Sequence, residues 1–417
     1  MRTPLELFNW RLVLAFVALV VSPVAIRGEA PGMLRATPEA AGMSSERLQE
    51  ATALLIQAVV DRTIAGGVAA VARHGKIVYL QPVGLQDLQT RAPMTPASLF
   101  RIYSMSKAVT AVAVMMLQDE GKLKLTDPAS KYLPAFKNVM VREEGTGAPR
   151  RPSREITIQD LLLHTSGLNH RTSDLYKNLH VRSRAITMAQ FITNITKAPL
   201  MEDPGRRFRY SEGTTVLGGI VEAITSQPFE KFVATRILEP LGMSNTSFWV
   251  EGDARARLTT VYQRDQQGRL APIEIEDMPF TVKPALMEGA VGLVSSAEDF
   301  LRFSQMLLNK GALDGVRLLK AETAAAMTVN ALPDAVLMEK NPSVGWGLGN
   351  VDVVVGPGSR GYLTAVGEYG WDGTIGTFFS VDPAQDLIVT LMTQNVPANP
   401  DQLRQRFKAA VVHSIIQ

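Results

Sequence analysis

Apolar positions in SSERLQEATALLIQAVVDR (44–62) recur at Leu48, Ala51, Leu55, Ala58 and Val59. That three-and-four spacing makes one helical stripe and predicts a helix resting on a flat partner. The runs GGVAAVAR (66–73) and KIVYLQPV (76–83) flank His74-Gly75 and predict a β-hairpin. In the predicted helix 104–120, Val109 and Val112 to Leu117 leave no polar stripe beyond Lys107, the pattern of a buried helix. A long section, about 122–285, mixes helix signals with loops. Strand signals return in GTFFSVDP (376–383) and DLIVTLMTQ (386–394), joined by a short Asp-Pro turn. The last segment predicts a helix with Asn399 as cap, Pro400 in its first turn and Leu403, Phe407, Val411 and Ile415 at four-residue spacing.

Strands from both chain ends therefore bracket a helical middle. The economical architecture is an α/β protein of the α+β type, with one antiparallel sheet built from both ends and covered by the two terminal helices. Residues 31–105 and 286–417 are expected to form a discontinuous sheet domain and 106–285 a mainly helical domain, with an active site between them. Ahead of these, Arg2 and Arg11 precede the apolar run LVLAFVALVV (12–21). This resembles a secretory leader over residues 1–30 and implies export to the periplasm or medium, with no stable membrane span in the mature chain.

Composition narrows the function classes. A chain of 417 residues, 46% apolar and 20% charged, can build a large core. The formal charge is only +3, and the basic stretch VREEGTGAPRRPSR (141–154) is broken by Pro and Gly without interleaved aromatics. It reads as a solvated loop, and no nucleic-acid partner is expected. With no cysteine there is no disulfide, thiol nucleophile or Cys-based metal site.

The stretch RIYSMSKAV (101–109) carries the candidate chemistry. On a helix Ser104 and Lys107 share a face, whereas Ser106 points away from the lysine and suits a packing or hydrogen-bonding role. A buried ammonium is costly unless paired or neutralised. Its presence here is explained if a desolvated amine takes the proton of the Ser104 hydroxyl and makes it a nucleophile. Ser104 also stands at the helix start, where its own amide can face a developing oxyanion.

The sequence around this motif, TPASLFRIYSMSKAVTAVAVMMLQDEGKLKLTDPASKYLP (95–134), resembles the serine β-lactamase and penicillin-binding-protein superfamily, in particular class C β-lactamases and family VIII carboxylesterases. So, in the family's order, do ITIQDLLLHTSGL (156–168), PGRRFRYSEGTTVLGGIVE (204–222), ILEPLGMSNTSF (237–248), AVGLVSSAEDFLRFSQMLLNKG (290–311) and YGWDGTIGTFFSVDP (369–383). The resemblance implies a β-lactamase-like fold and assigns Tyr210 as the proton relay. The family's Tyr-x-Asn motif is YSE (210–212) here, so Glu212 replaces an asparagine that contacts the acyl side of substrates. The family's Lys-Thr-Gly is WDG (371–373), which implies a substrate-binding edge of Trp371, Asp372 and Gly373. The Thr374 amide would be the second oxyanion donor beside that of Ser104. Tryptophan offers an apolar wall and no cation for a substrate carboxylate, which favours neutral esters.

The reading is a serine carboxylesterase on short-chain acyl esters, with no metal or organic cofactor implied and the oligomeric state open. One alternative keeps the site and acts on β-lactams or D-alanyl peptides, or transfers the acyl group to an alcohol. The other is a non-catalytic scaffold or binding protein of the same fold. A G-x-S-x-G elbow is absent from the sequence. His74, His164, His170, His180 and His413 show no metal spacing, and His164 reads as a structural hydrogen bonder.

Overall fold

The computed structural model describes residues 33–142, 148–358 and 361–416; the expected leader lies outside them. Eight strands form one antiparallel sheet. In chain order these are β1 (Gly66–Arg73), β2 (Lys76–Asp87), β3 (Ala92–Pro93), β4 (Val344–Gly347), β5 (Val351–Val354), β6 (Tyr369–Asp372), β7 (Phe378–Asp382) and β8 (Leu387–Thr393). Their spatial order is β4-β5-β6-β7-β8-β1-β2-β3. The halves join where β1 meets β8, with Gly67 opposite Thr393 and Arg73 opposite Leu387.

Strand β1 is buried along its whole length, and its alternation serves two layers. Ala69 and Val71 face a core containing Leu48, Leu55, Phe407 and Val411, from α1 (Ser45–Val60) and the C-terminal helix. Val68, Ala70 and Ala72 face a second core shared with α2 (Ser106–Asp119), α3 (Gly213–Thr225) and α4 (Ala297–Leu308). The protein is thus a sheet sandwiched between helices, the β-lactamase-like arrangement. Ser44 caps α1 by accepting the Arg47 N–H. Every residue of α2 from Ser106 to Leu117 is buried; full burial of each valine, leucine or methionine contributes roughly 1.5–3 kcal/mol.

Three local expectations change. The C-terminal helix α5 is Leu403–His413 rather than starting at Pro400, because Asp401 and Gln402 adopt positive φ (49° and 54°) and break the turn. Asn399 still caps it, through Oδ1 to the Arg404 N–H at 2.9 Å. The basic stretch is not simply a solvated loop: Val141–Arg142 pairs with Pro149–Arg150, and Arg150 and Arg154 form ion pairs with Asp203 (2.6 Å) and Asp160 (2.5 Å). Within the section expected to be mainly helical, Tyr262–Arg264 and Leu270–Pro272 form strands attached to Asn395–Val396.

Candidate active site

Ser104 does not lie in α2 itself. It occupies a 3₁₀ turn, Tyr103–Met105, that leads into the helix. Tyr103 has a positive φ of 43°, costly for a bulky residue, and its ring is held in place from several sides. Arg171 lies 5.5 Å above it and Phe280 meets it edge-on at 6.0 Å. The turn leaves Ser104 at 8% exposure and Lys107 at 2%.

Lys107 Nζ donates to Ser104 Oγ at 3.4 Å and to the Ala290 carbonyl at 3.1 Å, and lies 4.6 Å from the centre of the Tyr210 ring. Among the described residues no carboxylate lies within ion-pair distance of it. Burial therefore dominates and brings its pKa down to about 7, partly opposed by the charges of Glu212 and Glu288 and reinforced by Arg171. An amine with this environment can hold or release a proton near neutrality. Ser106 points elsewhere, its Oγ accepting the Leu293 N–H at 3.1 Å.

Tyr210 precedes α3 on a loop tied to a histidine. The His164 imidazole is fully buried, accepts the Ser211 N–H at Nδ1 (3.2 Å) and lies 4.6 Å from the Tyr210 ring. Burial, then the nearby Lys107 charge, holds its pKa well below the ordinary histidine value, in keeping with a neutral structural role. Trp371 and Trp346 complete an aromatic cage, with ring centres 5.3 and 6.0 Å from that of Tyr210. The Trp371 indole N–H donates to the Tyr210 hydroxyl oxygen at 3.0 Å. Burial raises the phenol's pKa, while its interactions with Ser104 and Trp371 pull the other way. Tyr210 is therefore a protonated donor through the neutral range.

The turn after β6 completes the site. A Cβ on Gly373 would stand 2.6 Å from the Ile102 carbonyl, so only glycine lets this turn abut the backbone entering the Ser104 turn. Among the described residues, the amides of Ser104 and Thr374 have no intramolecular acceptor. Asp372, expected on the substrate-binding edge, instead directs its carboxylate to Arg404 Nη1 at 3.0 Å. Strand alternation explains this, because Trp371 takes the face toward Tyr210. Glu212 is buried just ahead of α3 and accepts the Thr215 hydroxyl at 2.9 Å.

Several contributors escaped the sequence reading. Glu288 forms a buried ion pair with Arg182, which also meets Glu276 at 2.6 Å; Arg171 adds a 3.1 Å bond to Glu276. This network anchors the segment supplying the Ala290 carbonyl. The segment also receives the Thr110 hydroxyl at Gly289 O (2.7 Å). One signal was available: Glu288 is an isolated charge in the otherwise apolar run ALMEGAVGLV (285–294).

Comparison with known proteins bears on family and fold. A protein of Mycobacterium tuberculosis described as uncharacterized is 36% identical over 355 residues, covering 80% of this chain and 86% of that protein. Esterase EstB of Burkholderia gladioli is 29% identical over 367 residues, 82% of this chain and 88% of EstB. Among solved structures, EstCE1, described as a hydrolase with promiscuous acyltransferase activity, superposes with a TM-score of 0.75 at 27% identity, covering 88% of this chain and 98% of its own. Simvastatin synthase LovD of Aspergillus terreus shares the fold, with a TM-score of 0.77 at 21% identity over 88% of this chain and 98% of its own. The family model described as Beta-lactamase matches residues 51–413. By that match the chain belongs to the β-lactamase family of serine hydrolases, with esterases among its relatives.

Proposed function

We propose that this protein is a carboxylesterase that cleaves short-chain acyl esters through an acyl-enzyme on Ser104. The observation that carries it is the Lys107 amine, buried without a carboxylate partner and bonded to Ser104 Oγ at 3.4 Å. Neutral Lys107 takes the hydroxyl proton as Oγ bonds to the ester carbonyl carbon, and the amides of Ser104 and Thr374 receive the oxyanion. When the C–O bond to the alcohol breaks, Tyr210 gives its proton to the departing oxygen and recovers one from Lys107. Water then attacks the acyl carbonyl, releasing the acid and restoring Ser104.

Two features support an ester over a β-lactam. Trp371 stands where the family's lysine would meet a substrate carboxylate, and its indole is engaged with Tyr210. EstB and EstCE1 are named as esterase and hydrolase. The test compares p-nitrophenyl butyrate with nitrocefin, alongside fluorophosphonate labelling. The expected result is butyrate hydrolysis, a Ser104 adduct and no turnover by Ser104→Ala. A preference for nitrocefin would move the assignment to β-lactam hydrolysis, and folded protein without an adduct would make it a scaffold. Acyl transfer is a second reading, since EstCE1 is described as having promiscuous acyltransferase activity; with an alcohol as acceptor, product analysis checks it.

We propose export as well, on the leader-like residues 1–30. Amino-terminal sequencing of protein from the periplasmic fraction is expected to begin near residue 30. A chain retained in the cytoplasm with Met1 intact would refute this. Among the described residues, no helix is long and apolar enough to cross a membrane.

A further inference from the structure

The site depends on a peptide plane held from behind. Arg404, in the first turn of α5, is buried, with its Nη2 donating to the Gly373 carbonyl at 2.9 Å and its Nη1 paired with Asp372 at 3.0 Å. The Gly373 carbonyl and the Thr374 N–H belong to one planar trans peptide, so they point in opposite directions. A donor that fixes the carbonyl on the helix side therefore fixes the direction of the N–H on the cleft side. The far half of the turn is held by the Asn395 N–H on the Ile375 carbonyl (2.7 Å) and the Thr393 hydroxyl on the Gly376 carbonyl (3.1 Å), which leaves the Gly373–Thr374 peptide to its own bonds. Gly373 N–H bonds to the Thr377 carbonyl at 2.8 Å, Gly376 N–H reaches the Gly373 carbonyl at 3.3 Å, and Thr374 itself is exposed. A cation on the carbonyl oxygen also polarises the amide and strengthens its N–H as a donor.

We propose that Arg404, steadied by Asp372, is a positioning residue for the oxyanion hole, setting the orientation of the Gly373–Thr374 peptide from the opposite face of the sheet. This rests on the reading of Ser104 and Thr374 given above. It gives the aspartate of Trp-Asp-Gly a task that involves no substrate contact. It also accounts for a buried arginine on a helix whose other buried face is largely apolar. Loss of a whole oxyanion donor costs about 10²–10³ in rate; a misdirected one costs less.

The test uses the full chain and counts active sites by fluorophosphonate titration, so that misfolded protein does not enter kcat. Substrate is p-nitrophenyl butyrate, and phenylboronic acid serves as the probe whose tetrahedral Ser104 adduct places an oxygen in the oxyanion hole. Arg404→Met is expected to lower kcat about 10- to 100-fold with KM changed less than about threefold. Phenylboronic acid affinity should fall by the same factor as kcat/KM, and Arg404→Lys should restore part of both. A purely structural role would lower Tm and leave kcat per titrated site and boronate affinity at wild-type values, which overturns the proposal. Should Arg404→Met fail to fold, Asp372→Asn decides, since it keeps the bond to Gly373 and removes the steadying charge. A matched loss of about two- to fivefold in kcat and boronate affinity supports the proposal, and no loss overturns it. Wild-type protein without ester turnover or a Ser104 adduct would instead defeat the esterase reading itself.

Discussion

Lys107 and Lys408 are equally buried, each 2% exposed, yet they sit in opposite electrostatic settings. Lys408, one turn beyond Arg404, meets Glu368 at 2.5 Å, and Glu368 also accepts the amides of Thr364 (2.8 Å) and Ala365 (3.2 Å). Its charge is matched, and it ties α5 to the start of β6. Lys107 meets a hydroxyl and a carbonyl, so burial is left to act on its protonation equilibrium. Depth alone does not make a lysine chemical. What distinguishes the two is whether a carboxylate stands opposite.

The comparison breaks most sharply by removing each amine in turn. Lys107→Met should reduce kcat by about 10³ or more, because the nucleophile loses its base. The fold should be unharmed or firmer, because an apolar side chain of similar volume replaces an amine whose charged form burial disfavours. Lys408→Met should do the reverse to the fold, destabilising it by about 3–5 kcal/mol through the stranded Glu368. Kinetics and urea unfolding of the two variants test the pair; a Lys107→Met enzyme with substantial activity would remove Lys107 from the mechanism.

Protonation sharpens the contrast. Between about pH 7 and the ordinary lysine range the folded state binds fewer protons at Lys107 than the unfolded chain, so this residue's contribution to stability rises with pH. The stability gap between Lys107→Met and wild type should thus be widest below pH 7 and narrow toward pH 10. Activity should fall on the acid side with an apparent pKa near 7 as the amine becomes protonated. A flat acid limb would contradict a neutral-amine base.

Substitutions around the amine probe its surroundings. Tyr210→Phe should cost about 10²–10⁴ in kcat for esters of poorly leaving alcohols, and less for p-nitrophenyl esters, whose leaving group needs little protonation. Trp371→Phe keeps the wall but removes the N–H to Tyr210, and should cost up to about tenfold. Equal sensitivity of both ester types to Tyr210→Phe would deny it the donor role. Glu212→Gln should only displace the acid limb to lower pH, since Glu212 supports the protonated form of Lys107. A shift to higher pH would show that Glu212 acts otherwise.

Local pattern was enough for α1, for the β1–β2 hairpin, for the buried helix after Ser104 and for Ser104, not Ser106, facing Lys107. Each rests on side-chain period within one segment. The sheet was legible as a meeting of chain ends, because strand-like runs stand out near both. The departures came from contacts between distant segments. Nothing near Lys107 announces the Ala290 carbonyl, and nothing near Gly373 announces Arg404. The ion pair of Asp372 with Arg404 was not legible, because a motif gives an order of residues without saying which face of the strand each one takes. The turn holding Ser104 was drawn into the helix because the positive φ of Tyr103 is sustained by Arg171 and Phe280.

The pairing of β1 with β8 carries a consequence for how the protein is made. Gly67 finds its partner only when Thr393 has been synthesised, and Arg404 follows later still. Nearly the whole polypeptide must leave the ribosome before the sheet can close and the catalytic cleft can acquire its shape. Such non-local closure is slow and leaves unpaired strand edges exposed during synthesis. A nascent chain that lacks its last helix would therefore lack both the layer that covers one face of the sheet and the Arg404 bond to Gly373.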